Sequence, residues 1–205
     1  VGAVDAARAP LGRPRSTEAD AAIATAAMAV LAESGFEGVT VEAVAARAGV
    51  ARSTVYRRFP GKPELLVTVL AHSCQGLVPD PDTGTVVGDL EALASGLQHA
   101  LTETDLGRAL PAIIAASACN PEVAAAHKAF VSQRRTVMLL AIGRGIERGE
   151  VAPDVDPDTL ADLVVGPIFH RRFTGPRPVS DAWIREIVAR AVRACAPTGS
   201  QPGGA

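Results

Sequence analysis

Hydrophobic positions recur at helical spacing along most of this 205-residue chain, and breaks rich in glycine and proline separate the periodic segments. Ile23, Ala26, Ala27, Val30 and Leu31 form one apolar face, which predicts a first helix opened by Ser16 or Thr17 and stopped at Gly35. Val41, Val44, Ala45 and Ala48 form a second face behind Thr40, placed as an N-cap with Glu42 in the first turn. Gly49 can take the left-handed conformation that ends that helix. Val50, Val55 and Phe59 then give a sparser stripe, with Arg52, Ser53, Thr54, Tyr56, Arg57 and Arg58 facing outward. Two short helices at a tight glycine turn have the layout of a DNA-reading helix-turn-helix.

Pro60-Gly61 breaks this motif, and Lys62, Pro63 and Glu64 open a fourth helix to about Gln75. Residues 76–88 read as a linker. Beyond it, Asp89 is placed as the cap of a helix bearing Leu90, Leu93, Leu97 and Leu101. A short apolar helix follows over Pro111–Cys119, then a long one from Glu122 to about Arg148, and two more over Asp158–Arg172 and Ser180–Cys195. The fold expected is all-α, divided into a basic arm (1–15), a helix-turn-helix domain (16–61), a connecting helix (62–75), the linker (76–88), a larger helical domain (89–196) and a tail (197–205). Arm and tail are expected to be disordered, from their composition.

Composition agrees with an all-α protein: 48% of residues are hydrophobic and only 3% aromatic. No apolar run of about 18 residues was evident to suggest a membrane span, and a cytoplasmic location without membrane contact is expected. The formal charge of −2 argues against a polyanion partner, but the average hides an asymmetry. From Arg47 to Lys62 the chain has five basic residues and no acid, whereas residues 73–205 carry 12 basic and 15 acidic residues. One end suits phosphates and the other does not. Cys74, Cys119 and Cys195 lack metal or redox spacing and read as small buried hydrophobes. The four histidines have no ligand spacing, no nucleophile elbow is present, and Gly143-Arg144-Gly145-Ile146 follows a helix instead of a strand. No metal, cofactor or enzymatic activity is expected.

Arg52, Ser53 and Thr54 stand at the start of the second motif helix and are the base-edge candidates. Arginine can fork onto guanine, and hydroxyls serve several bases. In the second half, Leu97, Ile113, Ser117, Phe130, Met138 and Phe169 are candidates for a pocket that would take an apolar small molecule, with core packing as an equal alternative. Leu160, Leu163, Val164, Ile168, Trp183, Ile184, Ile187 and Val188 offer apolar area for a helical dimer interface or for an internal core.

Phe36, Thr40, Val44-Ala45, Gly49-Val50, Thr54, Tyr56, Phe59, Lys62 and Glu64-Leu65 together resemble the TetR family of bacterial transcriptional repressors, over about Gly12 to Leu70. The second half resembles the ligand-binding domain of one TetR subfamily through Pro81-Asp82-Thr83-Gly84 before Asp89-Leu90, Arg148-Gly149-Glu150, and Asp156-Pro157 leading to Gly166-Pro167. The resemblance implies a homodimer whose N-terminal domains grip an inverted repeat of double-stranded DNA, and whose larger domains hold an effector pocket. It also implies phosphate contacts by Tyr56, Arg57 and Lys62, a backbone contact by Thr40, and a minor-groove arm carrying Arg13 and Arg15. Ala51 departs from the family's usual serine and forfeits a helix cap. Alternatives are a ligand-independent regulator or activator, or, in another class, a helical small-molecule carrier or enzyme.

Overall fold

The computed structural model describes residues 15–73, 80–175 and 177–197, and among them it contains nine helices and no strand. The first four build the N-terminal part: α1 (Arg15–Gly38), α2 (Val41–Ala48), α3 (Arg52–Arg58) and α4 (Lys62–Ser73). The rest are α5 (Val86–Glu103), α6 (Asp105–Cys119), α7 (Pro121–Glu147), α8 (Pro157–Phe173) and α9 (Asp181–Ala194). Arg13, Cys74 and the C-terminal tail beyond Pro197 lie outside the described residues, as does all of the basic arm except Arg15.

Local chemistry accounts for the element ends. Gly35 and Gly49 both sit at φ 66°, where a side chain would be strained; the first breaks α1 and the second terminates α2. Asn120, Asp156 and Ser180 accept backbone N–H bonds in the first turns of α7, α8 and α9, and proline occupies the first positions of α7 and α8.

Four expectations are corrected. Helix α1 already includes Ser16 and Thr17, so neither caps it. The Glu18–Gly38 stretch is long and apolar enough to cross a membrane by length and composition. In the structure it is a core helix: Ile23, Ala27 and Leu31 are buried against the neighbouring helices. Helix α6 starts at Asp105, well before Pro111, and carries that proline inside it on an exposed face. Helix α5 begins at Val86 within the supposed linker, capped by Thr85, whose hydroxyl accepts from the Gly88 N–H at 3.1 Å.

Asp89 therefore has a different role. It is fully buried, and it accepts from the Thr83 N–H at 2.7 Å and the Thr83 hydroxyl at 2.8 Å. Arg144 reaches it at 3.3 Å and Arg148 at 3.8 Å, both from the far end of α7. Arg144 also grips the Asp80 carboxylate at 2.8 Å, and the Val86 N–H donates to Glu150 at 2.6 Å. This clasp ties the 80–85 segment and the start of α5 to the end of α7.

Two hydrophobic cores result, and they meet along α6 and α7. The first gathers Ile23, Leu31, Val44, Val55, Phe59, Leu66 and Leu70 from α1–α4 with Ala109, Ile113 and Ala116 of α6 and Val123 and Phe130 of α7. The second joins Leu90, Leu101, Leu110, Ile142, Leu160, Val164, Ile168, Ile184 and Val188 of α5–α9. Leu160, Val164, Ile168, Ile184 and Val188 thus complete the protomer's own core, and the dimer-interface reading is corrected for these five. Leu163 is 45% exposed, while Trp183 and Ile187 are half-buried, so of the eight candidates these three keep apolar surface. Cys195 is buried as expected, but Cys119 is exposed at the end of α6.

Candidate nucleic-acid interface and effector cavity

Helices α2 and α3 bury one face each and present the other. Val44, Ala45, Val55 and Phe59 anchor them on α1 and α4, leaving Arg52, Ser53, Tyr56 and Arg57 exposed along α3 with Thr54 half-buried. Thr40 caps α2, its hydroxyl accepting from the Ala43 N–H at 3.1 Å, and it is itself exposed beside α3. Ala51 gives α3 no side-chain cap, and the Thr54 N–H donates instead to the Ala51 carbonyl at 2.9 Å.

The basic band is less free than the sequence implied, because the fold brings acids to it from α1 and α2. Arg47 makes a two-pronged pair with Glu33 at 2.5 and 2.8 Å, and this pair holds the Glu33 carboxyl below its usual range. Arg58, expected to face outward, turns inward to Asp20 at 2.9 Å with its side chain only 20% exposed. Arg52 lies 3.8 Å from Glu42, a loose contact that leaves the guanidinium 69% exposed. Lys62 donates to the Phe36 and Glu37 carbonyls at 3.3 and 3.2 Å and lies over the Phe36 ring, so its ammonium also ties down the end of α1. Among the described residues, Arg57 is the one cation of this band without an acidic neighbour. Arg15 lies in the first turn of α1, and its side chain is outside the described set, as is all of Arg13.

The larger part of the protein encloses a cavity of about 400 Å³ between α5, α6, α7 and α8. Leu97, Phe130, Met138 and Phe169 all line it, together with Leu93, Leu101, Leu106, Leu110, Ile114, Val131 and Val165. Ile114 and Val131 are each 45% exposed, which places an opening between α6 and α7. Ile113 and Ser117 do not line the cavity: Ile113 faces the first core, and the Ser117 hydroxyl donates to the Ile113 carbonyl at 2.8 Å. They lie on the adjoining face of α6, Ile113 about 60° round the helix from Leu110 and Ser117 about 60° from Ile114.

Sequence reasoning missed the polar part of the wall. His127, Arg134, Arg135 and Asp162 all border the cavity. Burial pushes the His127 imidazole below its ordinary pKa, so the ring is neutral near neutral pH. Arg135 is engaged by Asp162 at 2.7 Å and by Asp158, and both carboxylates hold it charged. The guanidinium of Arg134 lies 5.5 Å from the centre of the Phe130 ring. The available signal was spacing: His127, Phe130, Val131, Arg134 and Met138 share one face of α7 at helical intervals.

Comparison with known proteins places this geometry. Residues 23–69 match the family described as bacterial regulatory proteins, tetR family, and residues 80–191 match the Tetracyclin repressor-like C-terminal domain. The uncharacterized HTH-type transcriptional regulator YdeS of Bacillus subtilis is 31% identical, over 89% of this chain and 92% of its own length. The HTH-type transcriptional regulator AqdR of Rhodococcus erythropolis is 38% identical over 71% of this chain and 69% of its own length. The crystal structure of the TetR family transcription regulator SCO0332 superimposes with a TM-score of 0.68 at 30% identity, covering 88% of this chain and all of that one.

Proposed function

We propose, for a chain that belongs to the TetR family of bacterial helix-turn-helix transcriptional regulators, that it is a one-component cytoplasmic repressor: a homodimer that binds a palindromic operator and is released by a small apolar effector. The observation that carries this reading is the exposed face of α3. Arg52, Ser53, Tyr56 and Arg57 stand in solvent on a helix whose opposite face, Val55 and Phe59, is fixed in a core. Arg52, Ser53 and Thr54 are assigned to base edges, and Tyr56, Arg57, Lys62 and Thr40 to phosphates, with Arg13 and Arg15 reaching the minor groove. Because acids already engage Arg47 and Arg58, Arg57 carries the largest share of the electrostatic term.

The cavity is the proposed effector site, and the shared helices are the proposed route to DNA. Leu106 and Phe130 line the cavity and also pack with the first core, beside residues of α1 and α4. A ligand that displaces them moves α6 and α7 against the DNA-binding unit, in addition to any lever action of α4. The two recognition helices of a dimer must match major grooves about 34 Å apart, so a small rotation suffices to lose the operator. Linkage requires that effector and DNA each weaken the other's binding. Leu163, Trp183 and Ile187 contribute the apolar part of the dimer contact.

A gel shift on the DNA upstream of the protein's own reading frame tests this directly. A specific shift that weakens steeply with added salt is expected. Absence of any specific shift at low salt refutes the reading, and a shift unaffected by every cavity-binding molecule marks a ligand-independent regulator.

A further inference from the structure

The polar groups on the cavity wall restrict what the effector can be. This inference rests on the cavity being the effector site. Arg135 is unavailable: its Nη1 donates to Asp162 at 2.7 Å, its Nη2 to the Asp158 carbonyl at 2.8 Å, and its Nε to the Asp158 carboxylate. Asp162 already accepts from Arg135 and stands largely in solvent, 71% exposed. A cationic ligand therefore finds no buried carboxylate here. His127 is different, because its surroundings determine which ring nitrogen is free.

The single hydroxyl proton of Ser117 is committed to the Ile113 carbonyl at 2.8 Å. The Ser117 Oγ lies 3.5 Å from His127 Nδ1, so the hydrogen bond across that long contact runs from Nδ1–H to Oγ. Burial keeps the ring neutral, and a neutral ring protonated on Nδ1 has a lone pair on Nε2. Ser117 is not part of the cavity wall whereas His127 is, so the edge of the ring away from Ser117 is the one presented to the cavity. Apart from Arg134 and the paired Arg135 and Asp162, the wall is aliphatic and aromatic, and the half-buried His127 is its neutral acceptor.

We infer that the effector is a largely apolar, uncharged molecule bearing a hydroxyl, and that this O–H donates to Nε2 of His127. A half-buried acceptor that the bound molecule itself cuts off from water discriminates between a molecule that fills its hydrogen bond and one that covers it with a methyl group. Aromatic and aliphatic alcohols share this chemistry, and size is set by the cavity of about 400 Å³, at the small end of the usual ligand-pocket range.

Isothermal titration of the full-length protein with para-hexylphenol, its methyl ether para-hexylanisole, nonanol and nonanoate separates the possibilities. One or both alcohols should bind about tenfold or more tightly than the ether, and which one does tells a phenol from an alkanol. His127→Phe should bring the alcohols down to the ether's affinity, and His127→Gln, whose side-chain carbonyl also accepts, should restore part of the gap. The comparison of phenol with ether in the unmodified protein stands even if a variant does not fold. Equal affinities for phenol and ether overturn the hydroxyl assignment while leaving the cavity as an apolar site. Nonanoate as the tightest ligand overturns it in favour of anion recognition by Arg134. Failure of all four to bind removes the effector-cavity reading itself, and the hydroxyl assignment with it.

Discussion

Replacing Asp89 with alanine is expected to cost about 3 kcal/mol of stability, a figure that follows from who remains without a partner afterwards. Breaking a buried ion pair by removing one member typically costs roughly 3–5 kcal/mol, because the other charge is left uncompensated. Here both cations keep a second carboxylate: Arg144 retains Asp80 and Arg148 retains Glu150. The loss then falls mainly on the two charge-assisted hydrogen bonds from Thr83 and on the emptied buried space, which puts the cost at the low end of that range. For a chain of this size about 3 kcal/mol corresponds to a melting temperature lower by roughly 6–12 °C, read by circular dichroism. Asp89→Asn should cost less than alanine, since its carbonyl oxygen can still accept from Thr83, although its amide N–H groups cannot accept from Arg144. The pH dependence has a definite sign. Burial raises the Asp89 carboxyl pKa, but the Thr83 N–H, the Thr83 hydroxyl and Arg144 outweigh burial and hold it below the usual range. A depressed carboxyl stabilises the fold above its unfolded value of about 3.9, and that contribution fades as the pH falls through the folded value. The gap between the unmodified protein and Asp89→Asn should therefore be full at neutral pH, begin to shrink at about pH 4 and go on shrinking as the pH falls through the lower folded value. An alanine variant that melts within a degree or so of the unmodified protein, or a gap that widens in acid, refutes the reasoning.

Four further outcomes are expected. Arg57→Ala should weaken binding to every DNA sequence and flatten the dependence of log K on log salt by about 1.8 for the dimer, about 0.9 for each of its two Arg57 contacts, without changing the melting temperature; an unaltered slope removes its phosphate role. Lys62→Ala should flatten the slope similarly but also lower the melting temperature, because the ammonium holds the Phe36 and Glu37 carbonyls. Arg52→Ala or Thr54→Ala should relax base preference at one operator position by about 1–3 kcal/mol in selection from randomised sites, and a variant that loses affinity yet keeps its preferred sequence argues against direct readout. Leu97→Trp should fill the cavity from α5, abolishing binding of para-hexylphenol in calorimetry while operator binding persists; retained phenol binding refutes the placement of the site.

Features set within one helical turn were legible in the sequence, and features set by distant partners were not. The Thr40 cap and the Gly49 stop follow from local backbone chemistry, and both stand in the structure where the pattern puts them. Asp89 looked like a cap because an acid at the head of an apolar run commonly is one, yet its partners Arg144 and Arg148 lie more than fifty residues away. Pro111 looked like a helix start for the same kind of reason; its missing N–H suits a first turn, but an exposed face of α6 tolerates it inside. The band from Arg47 to Lys62 carries no acid along the chain, and Glu33 and Asp20 meet it only after α1 folds back upon α2 and α3. Periodicity showed that α8 and α9 have apolar faces; whether Leu160 or Val188 faces its own core or another copy is decided by the packing of α5 against them.

Separate family models match residues 23–69 and 80–191, but the packing does not divide between them. Ile113 belongs to the core that fixes α2 and α3, while Leu110, less than one turn earlier, belongs to the core that encloses the cavity. A close-packed interior has no slack to absorb a shift on one side of so thin an element. On α7, Phe130 has the same double membership in a single side chain, buried in the first core and bordering the cavity. The charged contacts at this seam point the same way: Asp105 and Arg108 at the head of α6 are close enough to bias the Arg47–Glu33 pair that bridges α2 to α1. On the proposed reading, an effector that repositions α6 would act on the recognition unit through both packing and charge. The proposed linkage of effector and operator therefore has a direct route through the contacts of α6 with α1 and of α7 with α4.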